Sequence, residues 1–181
     1  MKYLFILISS LAFAQQTRFV DFKLVSGQLT LDAKEKSVAG SLHYWLEVLK
    51  PIDTIKIDAQ NMSFTEVKLN DKPVPFINTE KQLQIIYPFK KGRNEISFGY
   101  AAIPKQALYF VGSERDDDLQ IWTQGQGKYT SNWFPSFDDV NEKVIFNIEL
   151  AFSQEYQAIS NGILTKKTTN NNMTLWEYRM E

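Results

Sequence analysis

The run from Ser37 to Val48, SVAGSLHYWLEV, alternates with a period of two. Val38, Leu42, Tyr44, Leu46 and Val48 fall on one face, and Ser41, His43, Trp45 and Glu47 on the other, the pattern of a half-buried β-strand. The same period returns in one short run after another, spaced by roughly 8 to 12 residues, and no segment offers a long 3.6-residue repeat. These features place the chain in the all-β class, as an antiparallel sandwich or saddle.

The individual runs follow from turn chemistry. Phe19 to Val25 and Gln28 to Asp32 read as strand, turn, strand through Gly27, with Lys34, Glu35 and Lys36 as a solvated hairpin tip. A strand through Ile55 and Ile57 follows Pro51. Phe64, Val67 and Leu69 mark another, and Asn70-Asp71 turns the chain into Val74 to Ile77. Leu83 to Tyr87 and Asn94 to Ala102 are expected to pair across Pro88, Lys90, Lys91 and Gly92. Val144, Phe146, Ile148, Leu150 and Phe152 share a face and predict a core strand. Asn161-Gly162 predicts a two-residue hairpin joining Tyr156 to Ser160 with Ile163 to Thr165, and Asn170 to Asn172 turns the chain into a last strand, Met173 to Met180.

Residues 1–14 are expected to be an export signal, outside the fold. Lys2 supplies the positive start, Tyr3 to Leu11 an apolar run, and Ala12-Phe13-Ala14 a small-residue cleavage site before Gln15. The run is far shorter than the ~20 apolar residues of a spanning helix. The mature protein, residues 15–181, is therefore expected in the periplasm or outside the cell, with no membrane attachment after signal removal. The chain has no cysteine, which excludes a disulfide framework and a lipid-modified cysteine anchor. Loss of Lys2 leaves 19 basic residues against 21 acidic ones, a net charge of about −2. The basic residues are scattered singly or in pairs, so no nucleic-acid surface is expected.

His43 is the only histidine, and a catalytic zinc usually takes three protein ligands, so His43 is expected to be an ordinary strand residue. The acidic run Glu114, Arg115, Asp116, Asp117 and Asp118 lacks the alternating ligands and internal glycine of an EF-hand loop and reads as a solvated loop. Asn61-Met62-Ser63 and Asn172-Met173-Thr174 match the glycosylation sequon, which matters only on a eukaryotic secretory route.

One stretch is not explained by the needs of a β-fold: Trp122 to Phe146, WTQGQGKYTSNWFPSFDDVNEKVIF. Thr123, Gln124, Gly125 and Gln126 form a polar run in which Gly125 and Gly127 let something approach the backbone. Trp133, Phe134 and Pro135 make a stiff apolar corner, and with Trp122 they are expected to form the floor beneath the loop. The adjacent Asp138 and Asp139 would point opposite ways on an extended chain, which disfavours an acid and base pair.

At these residues the chain resembles the zinc aminopeptidases related to aminopeptidase N and leukotriene A4 hydrolase, in their N-terminal β-domain. The family's T-Q-x-E or Q-x-Q element is matched by Thr123, Gln124, Gly125 and Gln126, and its P-x-x-D-x-P-x-x-K corner by Pro135, Asp138 and Lys143. Val140 stands in place of the second proline, and Gln126 where many members have glutamate. The resemblance implies that Gln124 and Gln126, across Gly125, line the first subsite beside a peptide's N-terminal residue, and that Pro135, Asp138 and Lys143 are structural. Neither of the family's catalytic elements, H-E-x-x-H on a helix and a G-x-M-E-N loop, occurs in these 181 residues. No catalytic residue is therefore expected in this chain. Zinc is expected in a catalytic domain of the same polypeptide, and the chain alone is expected to be inactive.

A second reading is a secreted β-sandwich that binds carbohydrate or protein, without enzymatic activity, through Trp122, Tyr129 and Trp133. A third is a family relative that has lost its metal and acts as a scaffold.

Overall fold

A computed structural model describes residues 15–112, 118–138 and 141–181. The expected signal, most of the acidic loop from Glu114 to Asp117, and the pair Asp139 and Val140 lie outside the described residues. After a 3-10 turn at Gln16–Arg18 come β1 (Val20–Asp32), β2 (Ser37–Val48), β3 (Ile52–Asp58), β4 (Met62–Leu69), β5 (Lys72–Pro73), β6 (Phe76–Asn78), β7 (Gln82–Phe89) and β8 (Gly92–Ala102). They are followed by β9 (Leu108–Val111), β10 (Gln120–Thr123), β11 (Ile145–Ser153), β12 (Ile163–Asn170) and β13 (Met173–Met180). An eight-stranded sheet runs β12-β13-β11-β1-β2-β8-β4-β5, a three-stranded sheet β3-β7-β6, and β9 and β10 form a separate hairpin. The all-β expectation holds. The sheet is antiparallel except where β1 and β11 run parallel.

One apolar cluster joins the layers. Val38, Leu42, Tyr44, Leu46 and Val48, the face read from the sequence, are all buried, beside Phe22, Val25 and Leu29 of β1 and Ile96 and Phe98 of β8. Ile55 and Ile57 of β3 and Leu83 and Ile85 of β7 close the same cluster from the three-stranded sheet.

Four expectations are corrected. Gly27 makes no turn, and β1 is a single strand of thirteen residues. A Cβ at position 27 would lie 2.1 Å from the carbonyl oxygen of Ser41 and 2.6 Å from Leu42 Cδ2, so this glycine serves close strand packing. β7 and β8 do not pair with each other: the short link at Lys90 and Lys91 carries the chain from one sheet to the other. Pro88 lies within β7 and Gly92 opens β8. The face through Phe146, Ile148 and Leu150 packs against the cluster but stays partly accessible, and no residue of β11 is fully buried. Asn161-Gly162 closes no hairpin, since residues 156–160 form no strand. Gly162, at φ +88°, brings the chain against the backbone of Arg179 as β12 begins. The β12–β13 turn is made by Asn171 and Asn172, both at positive φ, and Asn70 and Asp71 do the same after β4.

Candidate functional site

The unusual stretch begins in the β9–β10 hairpin, where Trp122 pairs with Tyr109 and Ile121 with Phe110. Phe110 and Ile121 turn towards the core. Trp122 points the other way: its ring lies 4.6 Å from that of Tyr109 and is 45% exposed, so it is no part of the floor. The hairpin hands the chain to the polar loop. Gln124 N–H donates to the carbonyl of Ala107 (2.9 Å), which fixes the loop's root.

Gly125 is a close-approach position, but what approaches it is the loop itself. A Cβ there would lie 2.4 Å from Thr130 Oγ1. Gly127 and Lys128, at φ +83° and +70°, reverse the chain, Tyr129 N–H donates to Gly125 O (3.3 Å), and a 3-10 turn follows at Thr130–Asn132. The consequence falls on the side chains. Gln124 and Gln126 are exposed, and neither carboxamide is hydrogen-bonded to another described residue. The loop is folded by backbone and glycine, which leaves both amides free to meet a ligand.

Beneath it, Phe134 and Pro135 are buried and Trp133 is half-buried, the floor that the sequence suggested. Phe134 reaches the rings of Trp133, Tyr100 and Phe146 at 5.4, 6.4 and 6.1 Å. The hydroxyl of buried Tyr44 donates to the carbonyl oxygen of Pro135. Ser136 then exchanges two 2.9 Å backbone hydrogen bonds with Asp58, at the end of β3.

Asp138 completes the attachment. Its N–H donates to Asp58 Oδ2 (2.9 Å), and its own Oδ2 accepts from the hydroxyl of buried Ser131 (2.8 Å). Gln82 Nε2 donates to Asp58 Oδ1 (2.8 Å), which steadies the second carboxylate. Burial pushes the Asp138 carboxyl above the usual carboxylate range, opposed by the Ser131 hydroxyl and reinforced by the charge of Asp58. Lys143 is exposed and forms no ion pair among the described residues. Thus Pro135 and Asp138 share one structural unit, and Lys143 stands outside it. The sequence places Tyr44 on the buried face of β2 but not at this site, and it does not single out Asp58 or Ser131. Asp58 lies 80 residues from Asp138, and nothing local announces the partnership.

Comparison with known proteins decides the family. The chain matches the family model described as the peptidase M1 N-terminal domain over residues 26–180. The chain belongs to the M1 peptidase family. Among curated proteins, a leucyl aminopeptidase of Saccharolobus solfataricus is 20% identical over 133 residues, which is 74% of this chain but 17% of that protein. Among solved structures, an M1 zinc metallopeptidase from Deinococcus radiodurans superposes with a TM-score of 0.79 at 14% identity, over 90% of this chain and 39% of that one. A mutant of the Deinococcus enzyme bound to a Tyr-Ser-Ala substrate gives a TM-score of 0.77 at 15% identity, with the same coverage. This M1 N-terminal domain therefore spans less than two fifths of the length of each of these relatives.

Family membership does not bring a zinc centre to these residues. Among the described residues, no three His, Cys, Asp or Glu side chains gather where they would hold a metal ion. His43 Nδ1 lies 2.9 Å from Glu95 Oε1, a cross-strand pair on the outer face of the eight-stranded sheet. The donor set needed for zinc is not gathered among the described residues. The free-standing carbohydrate- or protein-binding sandwich gains no support from the family match. Trp122 and Tyr129 are exposed, but Trp133 is half-buried against Phe134.

Proposed function

We propose that this chain is the substrate-lining N-terminal domain of an exported zinc aminopeptidase, which removes residues from the N-termini of peptides. The reading rests chiefly on one observation: in a chain of the M1 family, Gln124 and Gln126 are the free, exposed carboxamides of a loop whose backbone is otherwise fixed. Such amides are suited to a peptide terminus. The Gln126 carbonyl oxygen accepts from the substrate's α-ammonium group, and its NH2 donates to the first peptide carbonyl. Gln124 flanks the same terminal residue. Gln126 is neutral, so it positions the amine without neutralising it, and carboxylates of the catalytic domain supply that charge. That domain, part of the same polypeptide, carries the zinc.

The test is to follow the reading frame beyond codon 181 and to assay the encoded polypeptide on aminoacyl anilides. A frame containing H-E-x-x-H, with activity abolished by a chelator and restored by zinc, is the expected result. A stop at that codon, or a full polypeptide inert with zinc present, overturns the reading. Export is tested separately: the N-terminal sequence of the purified protein should begin at Gln15.

A further inference from the structure

Asn161 is the only asparagine in the chain that is followed by glycine. The fold leaves this pair out of any hairpin. The hydroxyl of Tyr178 donates to the carbonyl of Ala158 (2.8 Å), which ties the chain to β13, and the β12–β13 ladder begins at Ile163 opposite Arg179. Between these two anchors the chain is irregular and exposed, with Ile159 90% accessible.

The Asn161 side chain is itself exposed, and its carboxamide has no hydrogen-bonding partner among the described residues. Gly162 has no Cβ to shield its own backbone nitrogen. A free side-chain amide and an unshielded backbone nitrogen on the next residue are the reactants of an intramolecular cyclisation.

We infer that Asn161 is a site of spontaneous conversion to aspartate and isoaspartate, and that the isoaspartate form loosens the start of β12. The backbone nitrogen of Gly162 attacks Asn161 Cγ and gives up its proton, the bond from Cγ to the side-chain nitrogen breaks, and ammonia leaves. The product is a cyclic succinimide. Water then opens the ring: cleavage of the new bond between nitrogen and Cγ yields aspartate, and cleavage of the original peptide bond yields isoaspartate. No oxidant, metal or enzyme is consumed.

The second route matters for the fold. It carries the backbone through Cβ and Cγ of residue 161, so the chain gains an atom just before the ladder. Gly162 has no slack to absorb it: a Cβ there would stand 2.1 Å from the carbonyl oxygen of Arg179. β12 is the terminal strand of the eight-stranded sheet, bonded to β13 alone, and every one of its residues is exposed. The pairing that yields is therefore that of Ile163 with Arg179, at the end of an edge strand where local opening costs least. This inference does not depend on the peptidase reading.

The test incubates the folded full chain at mildly alkaline pH in 18O-labelled water. Peptide mapping with fragmentation should find, at Asn161, the mass gain of NH2 replaced by labelled OH, with isoaspartate confirmed by enzymatic methylation. Asn161→Gln, whose cyclisation needs a larger and slower-closing ring, should lose this signal while remaining folded, since the exposed side chain holds no partner. Hydrogen exchange on the aged parent should show lost protection at Ile163 and Leu164, and the aged Asn161→Gln variant should keep it. Conversion of Asn161 seen only after denaturation would overturn the inference. So would conversion in the folded chain that leaves exchange at residues 163 and 164 unchanged.

Discussion

The hydroxyl of Tyr44, in the middle of β2, donates to the carbonyl oxygen of Pro135, 91 residues further along the chain. The bond ties the apolar corner under the glutamine loop to the core of the large sheet, where the Tyr44 ring meets Phe22, Phe98 and Phe137. Burial drives the phenol well above its ordinary ionisation range, so it remains a donor throughout the working pH range. Tyr44→Phe keeps the ring and orphans a buried carbonyl. The expected loss is about 1–3 kcal/mol, read from urea denaturation midpoints at unchanged m-value.

Gly27→Ala should be more disruptive than its size suggests. The added methyl would lie 2.1 Å from the Ser41 carbonyl oxygen, where no side-chain rotation relieves the contact. Overpacking of this kind typically costs about 1–3 kcal/mol. Because the site lies between the two central strands, thermal unfolding should register it directly. An alanine variant as stable as the parent would show that β1 and β2 separate more easily than their packing implies.

Asp138 gives a pH dependence with a definite sign. Its carboxyl is raised in the folded protein by burial first and by Asp58 among the lesser causes. The protonated form is thus the one that the fold favours: this contribution is fully present below the unfolded pKa and is lost as pH rises through the folded value, from about pH 4 upward. Asp138→Asn keeps an oxygen to accept from Ser131 and removes the charge. The melting temperature of the variant relative to the parent should increase as pH rises from about 4 and level off once the pH has passed the folded value. A difference independent of pH would mean that the carboxyl is not perturbed.

In the longer enzyme proposed above, Gln126→Ala should lower kcat/KM by a factor corresponding to about 1–3 kcal/mol, with little change in the stability of this domain. The exposed, unbonded state of the side chain is what makes the separation possible. Unchanged kcat/KM for short peptides would remove Gln126 from the subsite, while leaving the fold argument intact.

Much of this domain was legible because period-two alternation is a local signal. The buried face of β2 could be named residue by residue, and the asparagine turn before β13 announced itself through residues that tolerate positive φ. What alternation cannot report is which layer a strand joins. β7 and β8 both alternate and are separated by two residues, yet they belong to different sheets. Gly27 misled for a related reason: a glycine that admits a neighbouring strand and a glycine that turns the chain are the same letter. In the candidate site, Gln124, Gly125, Gln126 and Pro135 stood out through their unusual chemistry. Asp58 and Ser131 are ordinary residue types whose importance arises only when the corner at Pro135 reaches the end of β3.

The parallel pairing of β1 with β11 also sets an order of assembly. Gln28 and Glu149, neighbours across that pair, are separated by 121 residues of sequence. Until β11 has emerged from the ribosome, the strand destined for the middle of the sheet has one whole side of backbone amides and carbonyls unpaired. During synthesis the future centre is a temporary edge. Contacts so distant in sequence form slowly, and an unprotected strand edge invites pairing with other chains.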